Sequence, residues 1–279
     1  MLLRILVKCL VLGGGLYLLL CLLLWFGQRG LMYFPERAAP GAEALEARAL
    51  GLRPWVNPAG SLLGWRGGGG VRVLLCHGNA GKALHRSFWL PLLQEAYGTP
   101  PLEIILLEYP GYGARPGQPS QEQLVAAAAE ALDLLWAERP EPILVLGESL
   151  GSGVAALAAA GHPERIQGLL MVTPLPSMTE VARVHYPLFP GFLVRDAYPA
   201  RDALRGLHLP LALILAERDE VIPMTLGRRL GEGYAGPTQA WVEPGATHNT
   251  LRLGRREGLL REALAFLRGS ADPRSAKSP

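Results

Sequence analysis

The sequence has few cysteines and no strong excess of either charge. Its three cysteines, Cys9, Cys21 and Cys76, are divided between the apolar N-terminus and a predicted strand. They offer neither a disulfide framework nor a set of metal ligands. The formal net charge of +3 is too small to indicate nucleic-acid binding, and the sequence has no basic patch interleaved with aromatic residues. We therefore expect no nucleic-acid partner, no metal and no cofactor.

Apolar sequence, in contrast, is abundant, and it is densest in the predicted anchor, residues 1–29. Of the 279 residues, 49% are hydrophobic and 18% are charged, which suits one large α/β domain with a buried core. After Arg4 and Lys8, an apolar run extends from Cys9 to Phe26. As a helix this run spans about 27 Å, and snorkelling of Lys8 lets the span begin earlier. We expect an uncleaved membrane anchor. The alternative is a signal peptide, although the run is long for one and no small-x-small cleavage site follows it.

The charges around the anchor favour one orientation in the membrane. Arg4, Lys8 and the terminal amine precede the span, whereas Arg29 and Arg37 follow it. Because positive charge is enriched on the cytoplasmic side, this pattern favours a cytoplasmic N-terminus and a catalytic domain on the outer side. We assign residues 30–270 to that domain and residues 271–279 to a polar, disordered tail.

Beyond the anchor, apolar strands alternate with helices, a pattern typical of a mostly parallel sheet with helices on both faces. The alternation of strands and helices is interrupted between about 174 and 210 by a segment rich in proline and aromatic residues. We interpret this segment as a small cap inserted over the site. The alternative is a long surface loop, which is uncommon in a compact domain. The predicted strands are 43–50, 61–66, 71–76, 103–109, 143–146, 166–172, 211–216 and 239–242; the predicted helices are 83–97, 121–138, 154–160 and 255–268.

A G-x-S-x-G pentapeptide, Gly147 to Gly151, lies between the strand at 143–146 and the helix that follows. This context predicts a strained turn that raises the hydroxyl of Ser149 above the sheet. The two glycines lack a Cβ, so the strand and the helix can approach closely. The helix begins near Leu150, and its first N–H groups would face any negative charge that develops there. Ser149 is therefore the candidate nucleophile.

A serine nucleophile needs a base and an acid that orients the base. His248 follows the last predicted strand, and Glu217, Asp219 and Glu220 follow the strand before it. Carboxyl ends of parallel strands share one edge of a sheet, so these side chains should meet Ser149 there. We favour Asp219 as the acid because a short side chain suits a turn, with Glu220 as its competitor.

The loop after the strand at 71–76 contains His77, Gly78, Asn79 and Ala80. Its position suits an oxyanion hole, in which the N–H groups near Asn79 and of Leu150 would hold a developing negative charge. The side chain of His77 is expected to brace this loop. A second turn at the same edge, residues 109–113, is expected to line the site.

Together these motifs resemble the α/β-hydrolase fold, and specifically its membrane-anchored branch similar to BEM46, ABHD13 and ABHD17. The resemblance covers nearly the whole chain beyond residue 30. It implies Ser149 as nucleophile, Asp219 as acid and His248 as base, with oxyanion N–H groups from Asn79 and Leu150. One departure is Ala216, where relatives usually carry glycine. The matching segments are Met32-Tyr33-Phe34-Pro35, His77-Gly78-Asn79-Ala80-Gly81, Glu108-Tyr109-Pro110-Gly111-Tyr112-Gly113, Gly147–Gly151, Asp219–Pro223 and Gly245-Ala246-Thr247-His248-Asn249.

The function we predict is a metal-free serine hydrolase that cleaves an ester, thioester or related acyl bond through an acyl-enzyme. The apolar cap and the anchor favour a lipophilic substrate. Alternatives are an acyltransferase that uses the same site, a peptidase, and a non-catalytic binding protein tethered to the membrane. The anchor contributes no motif to the site, so we expect it to anchor and not to catalyse, and a chain that begins near Gly30 should be soluble and active on small esters. Because relatives on this fold include lipases, thioesterases and peptidases, the fold does not fix the substrate.

Overall fold

The computed structural model describes residues 1–251, 253 and 258–271. The chain begins with one long helix, α1 (Leu2–Met32), whose 31 residues include only one buried side chain, Cys21. Its most apolar stretch has a mean hydropathy of 2.4, so α1 is long and apolar enough to cross a membrane by length and composition. The helix ends where Tyr33 turns extended, and Pro35 follows, a residue that cannot donate a backbone hydrogen bond. It thus continues three residues past the expected anchor boundary at residue 29.

An eight-stranded sheet forms the centre of the domain. In the sheet the strand order is β10-β9-β8-β7-β4-β6-β3-β2, and only the β2–β3 and β3–β6 pairs are antiparallel. A separate parallel pair, β1 with β5, joins the chain after α1 to the loop after β4. The strands are β1 (Phe34–Pro35), β2 (Arg53–Val56), β3 (Leu62–Gly68), β4 (Val71–Cys76), β5 (Ala80–Gly81), β6 (Leu102–Leu107), β7 (Ile143–Glu148), β8 (Ile166–Val172), β9 (Leu211–Ala216) and β10 (Thr238–Glu243).

Helices cover both faces of this sheet, as a parallel sheet requires. The core on one face contains residues of α4, α5 and α7, and the core on the other contains residues of α3 and α9. The helices after α1 are α2 (Ala44–Ala49), α3 (Trp89–Tyr97), α4 (Gln121–Glu138), α5 (Leu150–Gly161), α6 (Met178–His185), α7 (Ala200–Leu204), α8 (Met224–Arg229) and α9 (Leu259–Ala271). The predicted mostly parallel arrangement with helices on both faces is confirmed.

Several predicted elements differ from the structure. The strand predicted at 43–50 is wrong, because these residues form helix α2, whose Ala, Leu, Glu and Arg residues all favour helix. The sheet instead has strand β2, which was not predicted because proline, here Pro54, argues against a strand. Pro54 is tolerated because β2 lies at the edge of the sheet. The helix predicted at 83–97 is divided into a short 3₁₀ helix, Ala83–Arg86, and α3.

At the C-terminus, the helix predicted at 255–268 is found as α9, from Leu259 to Ala271. Residues 255–257 and nearly all of the predicted tail, 272–279, lie outside the described residues. The predicted cap segment corresponds to the connection between β8 and β9, which contains α6, α7 and a 3₁₀ turn at Gly191–Leu193. The division of the chain into anchor, domain and cap stays a prediction.

Candidate active site

Ser149 lies at the tight turn between β7 and α5. Its backbone has φ 54° and ψ −119°, a conformation that side-chain-bearing residues rarely adopt. The flanking glycines make the turn possible, because a Cβ on Gly151 would stand 2.0 Å from the carbonyl oxygen of Cys76. A Cβ on Gly147 would stand 2.6 Å from the Cα of Ser152. The sequence therefore folds into the strained turn that the pentapeptide predicts, with the Ser149 side chain at its tip.

Three predicted site residues form a continuous chain of hydrogen bonds. The Nε2 atom of His248 lies 2.9 Å from the Oγ atom of Ser149. Its Nδ1 atom lies 2.8 Å from Oδ2 and 2.9 Å from Oδ1 of Asp219. Oδ1 of Asp219 also accepts the backbone N–H groups of Val221 and Ile222, at 2.9 and 2.7 Å. Asp219 is thus held by its own turn while it orients the imidazole ring.

The neighbouring carboxylates are directed elsewhere. Glu220 accepts the backbone N–H of His248 at 3.3 Å and lines the cavity beside the site. Glu217 accepts the backbone N–H of Gly245 at 2.7 Å, which ties together the turns after β9 and β10. Of the three acidic residues in this turn, only Asp219 contacts the imidazole nitrogen of His248.

The two residues expected to form the oxyanion hole both line the cavity next to Ser149. Leu150 is the first residue of α5, and the first N–H groups of a helix have no partner within the helix. The loop of Asn79 is fixed from two sides. Its side-chain amide donates to the carbonyl of Met32 at 2.8 Å, and its own carbonyl accepts the backbone N–H of Phe34 at 2.9 Å.

Two tyrosines of the 109–113 turn support this loop from behind. Tyr109 donates its hydroxyl hydrogen to the carbonyl of His77, at 3.0 Å, and Tyr112 donates to the carbonyl of Asn79, at 2.7 Å. The ring of His77 lies 4.2 Å from that of Tyr109 and is fully buried, so His77 braces the loop as expected. Both tyrosines are also fully buried, so they lie behind the loop and do not line the cavity.

A second set of contacts, which supports the turn at Ser149, was not predicted from the sequence. Glu148, the residue before the serine, accepts hydrogen bonds from Arg86 at 3.0 Å and from the indole of Trp89 at 3.2 Å. This contact joins the start of α3 to the turn at Ser149. No local pattern identifies Arg86, although an acidic residue next to the nucleophile is a signal that a basic partner lies nearby.

Cys76 is a further nucleophilic side chain close to this edge. It is fully buried, and burial raises the pKa of its thiol to about 12. A thiol in this state is not a nucleophile near neutral pH. Within residues 1–251, 253 and 258–271, no group of three or more His, Cys, Asp or Glu side chains is arranged to hold a metal ion.

A cavity of about 540 Å³ opens above Ser149 and is lined mainly by apolar side chains. Its walls come from three parts of the chain. The turns of the sheet edge supply Ser149, Leu150, Asn79, Leu175, Glu220, Val221 and Ile222; the 178–194 segment supplies Met178, Val181, Ala182, His185, Tyr186, Phe189 and Val194; the N-terminal region supplies Leu24, Gln28, Leu31, Met32 and Phe34. Helix α1 therefore forms one wall of the cavity, a contact that the sequence did not predict, and the expectation that the anchor does not catalyse stays a prediction.

Polar contacts hold α1 against the segment between β8 and β9. Arg29 forms an ion pair with the buried Asp196 at 2.9 Å, and the hydroxyl of Tyr33 donates to the same carboxylate at 3.0 Å. The hydroxyls of Tyr33 and Tyr198 lie 2.9 Å apart, and burial raises the pKa of both. Gln28 donates to the carbonyl of Leu193 at 3.2 Å. The C-terminal end of α1 is thus part of the folded domain.

Comparison with known proteins supports the same fold. The alpha/beta hydrolase fold family matches residues 71–247. An uncharacterized protein of Mycobacterium tuberculosis is 35% identical over 236 residues, which are 81% of this chain and 82% of that protein. Protein bem46 of Schizosaccharomyces pombe is 28% identical and covers 54% of this chain and 52% of its own length. The human alpha/beta hydrolase domain-containing protein 17B is 31% identical, with coverage of 65% and 61%.

Among solved structures, the esterase Pf2001 of Pyrococcus furiosus superposes with a TM-score of 0.64 at 14% identity. The superposition covers 85% of this chain and 99% of that esterase. At this identity the likeness concerns the fold alone. The resemblance to the BEM46 and ABHD17 branch, and the fold that it implies, are confirmed by these matches.

Proposed function

The chain belongs to the alpha/beta hydrolase family, and from this membership and the geometry of the site we propose that it is a serine hydrolase that cleaves acyl bonds. The observation that carries the proposal is the unbroken contact from Ser149 through His248 to Asp219, at 2.9 and 2.8 Å. Nucleophile, base and orienting acid need this order and these distances.

The reaction follows from the direction of these hydrogen bonds. Ser149 attacks the acyl carbon while Nε2 of His248 takes the hydroxyl proton. Asp219 keeps the Nδ1 proton in place and stabilises the imidazolium that forms. The proton then passes to the leaving group, and the acyl group stays on Ser149. Water, activated by the same imidazole, releases the acid and restores the serine.

The oxyanion that forms during attack needs donors fixed in advance. We assign this role to the backbone N–H groups of Asn79 and Leu150. The support is their position beside Ser149 in the cavity lining, together with the hydrogen bonds that fix the Asn79 loop from Met32 and Phe34. The strained backbone of Ser149 keeps the nucleophile raised toward the same place.

We further propose that the acyl group is lipophilic and that α1 anchors the enzyme in a membrane. The apolar cavity supports the first point, and the length and hydropathy of α1 support the second. Arg4 and Lys8 near the start of α1 favour a cytoplasmic N-terminus. Accessibility of the domain to protease in sealed vesicles of known orientation tests this topology.

The direct test is hydrolysis of a panel of esters by the wild type and by Ser149→Ala. Loss of the nucleophile should lower turnover on the order of 10⁶-fold. Ser87→Ala makes the same change on the loop before α3 and should leave turnover as it is, while circular dichroism checks both folds. Normal turnover by a pure Ser149→Ala preparation would contradict the serine mechanism. Adding an alcohol acceptor to the assay would reveal acyl transfer if that is the preferred reaction.

A further inference from the structure

A second, smaller cavity adjoins the one above Ser149. It measures about 220 Å³ and lies between α1 and the turn that follows α6. Its lining from α1 is Tyr17, Leu20, Cys21 and Leu24. The other side is formed by residues 186–189. Leu24, Tyr186 and Phe189 also line the larger cavity, so the two spaces are separated only by shared walls.

The position of this second cavity along α1 indicates where it would lie relative to a bilayer that α1 crosses. The 31 residues of α1 form a rod about 46 Å long, whereas a hydrocarbon core of about 30 Å takes only about 20 residues. About eleven residues of α1 must therefore stand outside the core. Gln28 and Arg29 bind the domain and cannot be among the embedded residues. A span of about 20 residues that ends just before Gln28 begins near Lys8, so the stretch from Tyr17 to Leu24 lies in the half of the span nearer the domain.

The segment opposite α1 also presents exposed apolar side chains. Leu188 is 75% exposed and Phe192 is 86% exposed. The carbonyl of Leu188 accepts a hydrogen bond from the hydroxyl of Tyr17 at 2.8 Å, which fixes this segment beside the helix. Stacking of Arg195 over Trp25, at 5.1 Å, adds a further contact. The exposed apolar residues are thus held next to the part of α1 that meets the membrane.

We propose that α1 and residues 186–192 form a lateral portal through which the acyl chain of a bilayer-resident ester reaches Ser149. The proposal rests on the serine hydrolase function and on α1 as the anchor. The occupant is a single long acyl chain, because both cavities are lined mainly by apolar side chains and the smaller one lies beside the embedded part of α1. The scissile bond lies at the Ser149 end, and the tail of the chain lies along α1 toward Tyr17.

The portal assigns a role to side chains with no part in the chemistry. A substrate that enters from the bilayer keeps its chain in an apolar environment throughout, whereas a substrate that enters from water must first leave the membrane. With kcat/KM expressed on the concentration of ester dissolved in water, each methylene bound along the portal should raise it about fourfold, the factor for moving one CH₂ group from water into an apolar site. We therefore expect kcat/KM to rise with acyl length until the chain fills both cavities.

The test uses the full chain in phosphatidylcholine vesicles and a series of p-nitrophenyl esters from acetyl to palmitoyl. Leu20→Trp enlarges a side chain that lines only the smaller cavity. Leu19→Trp is the matched control, one position along the same helix and half exposed, on a residue that lines neither cavity. Leu20→Trp should lower the palmitoyl-to-acetyl ratio of kcat/KM by about tenfold or more, since at least two methylenes lose their place. Leu19→Trp should keep the wild-type ratio.

The outcomes separate this proposal from the one on which it rests. If the wild type hydrolyses no ester, the serine hydrolase function fails. If it hydrolyses esters but Leu20→Trp keeps the wild-type ratio, or both variants shift it equally, the portal is refuted and the hydrolase stands. Should Leu20→Trp fail to fold, a palmitoyl ester with a photoreactive group at the chain end provides a second measurement on the wild type. Cross-links to residues 17–24 or 186–189 support the portal, and cross-links found only elsewhere overturn it.

Discussion

Two regions of the molecule are stabilised in different ways. One is the sheet edge that carries Ser149; the other is the apolar wall of the cavity, formed by α1 and residues 178–198. At the sheet edge, each side chain closely follows a strand end, and Asp219 is fixed by N–H groups two and three residues further along its own turn. The wall depends on contacts between residues far apart in the chain, such as Arg29 with Asp196. If the proposed function holds, the comparison means that local turns on the sheet position the reacting groups, whereas long-range packing shapes the cavity for the acyl group.

After the loss of Ser149 itself, the largest effect should follow a change at the acid of the sheet edge. Asp219→Asn keeps the shape of the acid but no longer holds the imidazole in the correct tautomer, so we expect kcat to fall on the order of 10⁴-fold. Glu220→Gln is the matched control one residue along the same turn, and it should cost little. Both variants are measured on one short ester at saturating concentration. A severe loss in Glu220→Gln with near-normal Asp219→Asn would reverse the assignment.

The division between local and non-local structure also explains how much could be predicted from the sequence. Strands β8 and β9 have the predicted bounds, because each is a continuous apolar run in a buried parallel sheet. The turns after β7, β9 and β10 therefore meet at one edge, and this rule alone brings Ser149, Asp219 and His248 together. Residues 44–49, in contrast, are too few for their period to distinguish helix from strand.

The wall could not be predicted for a different reason. A run of apolar residues near the N-terminus reads as a membrane segment whether or not its last turns pack on a domain. Arg29 and Asp196 carry no local pattern that pairs them across 167 positions. Their contact follows only from the three-dimensional position of the segment between β8 and β9, which neither composition nor periodicity supplies.

A smaller effect, on stability, should follow a change in the wall. Asp196→Ala removes the buried carboxylate that Arg29 and Tyr33 share, and we expect unfolding to become easier by about 2 kcal/mol, or roughly 6 °C in Tm. The control is Asp202→Ala, which breaks an exposed ion pair with Arg205. Such surface pairs contribute ~0–1 kcal/mol. Thermal unfolding followed by circular dichroism would contradict the expectation if both variants lost the same stability.

The smallest expected effect is a change in the preference for acyl-chain length while the hydrolytic activity itself is retained. A chain that begins at Gly30 lacks Leu24 and Gln28 of the cavity wall but keeps every contact among Ser149, His248 and Asp219. We expect it to hydrolyse acetyl esters, with its preference for long acyl chains reduced by about tenfold, as the loss of two or more buried methylenes implies. The ratio of kcat/KM for long and short esters measures this change. An unchanged ratio would mean that α1 only anchors the domain.

The central claim is that Ser149 at the sheet edge carries the chemistry, and labelling with a fluorophosphonate tests it most directly. The wild type is labelled, digested and mapped by mass spectrometry, with Ser149→Ala treated in parallel. We predict one adduct, on Ser149, that is absent from the variant and forms more slowly when a long-chain ester is present. An adduct on another residue, or full ester turnover by protein that carries no label at Ser149, would contradict the account.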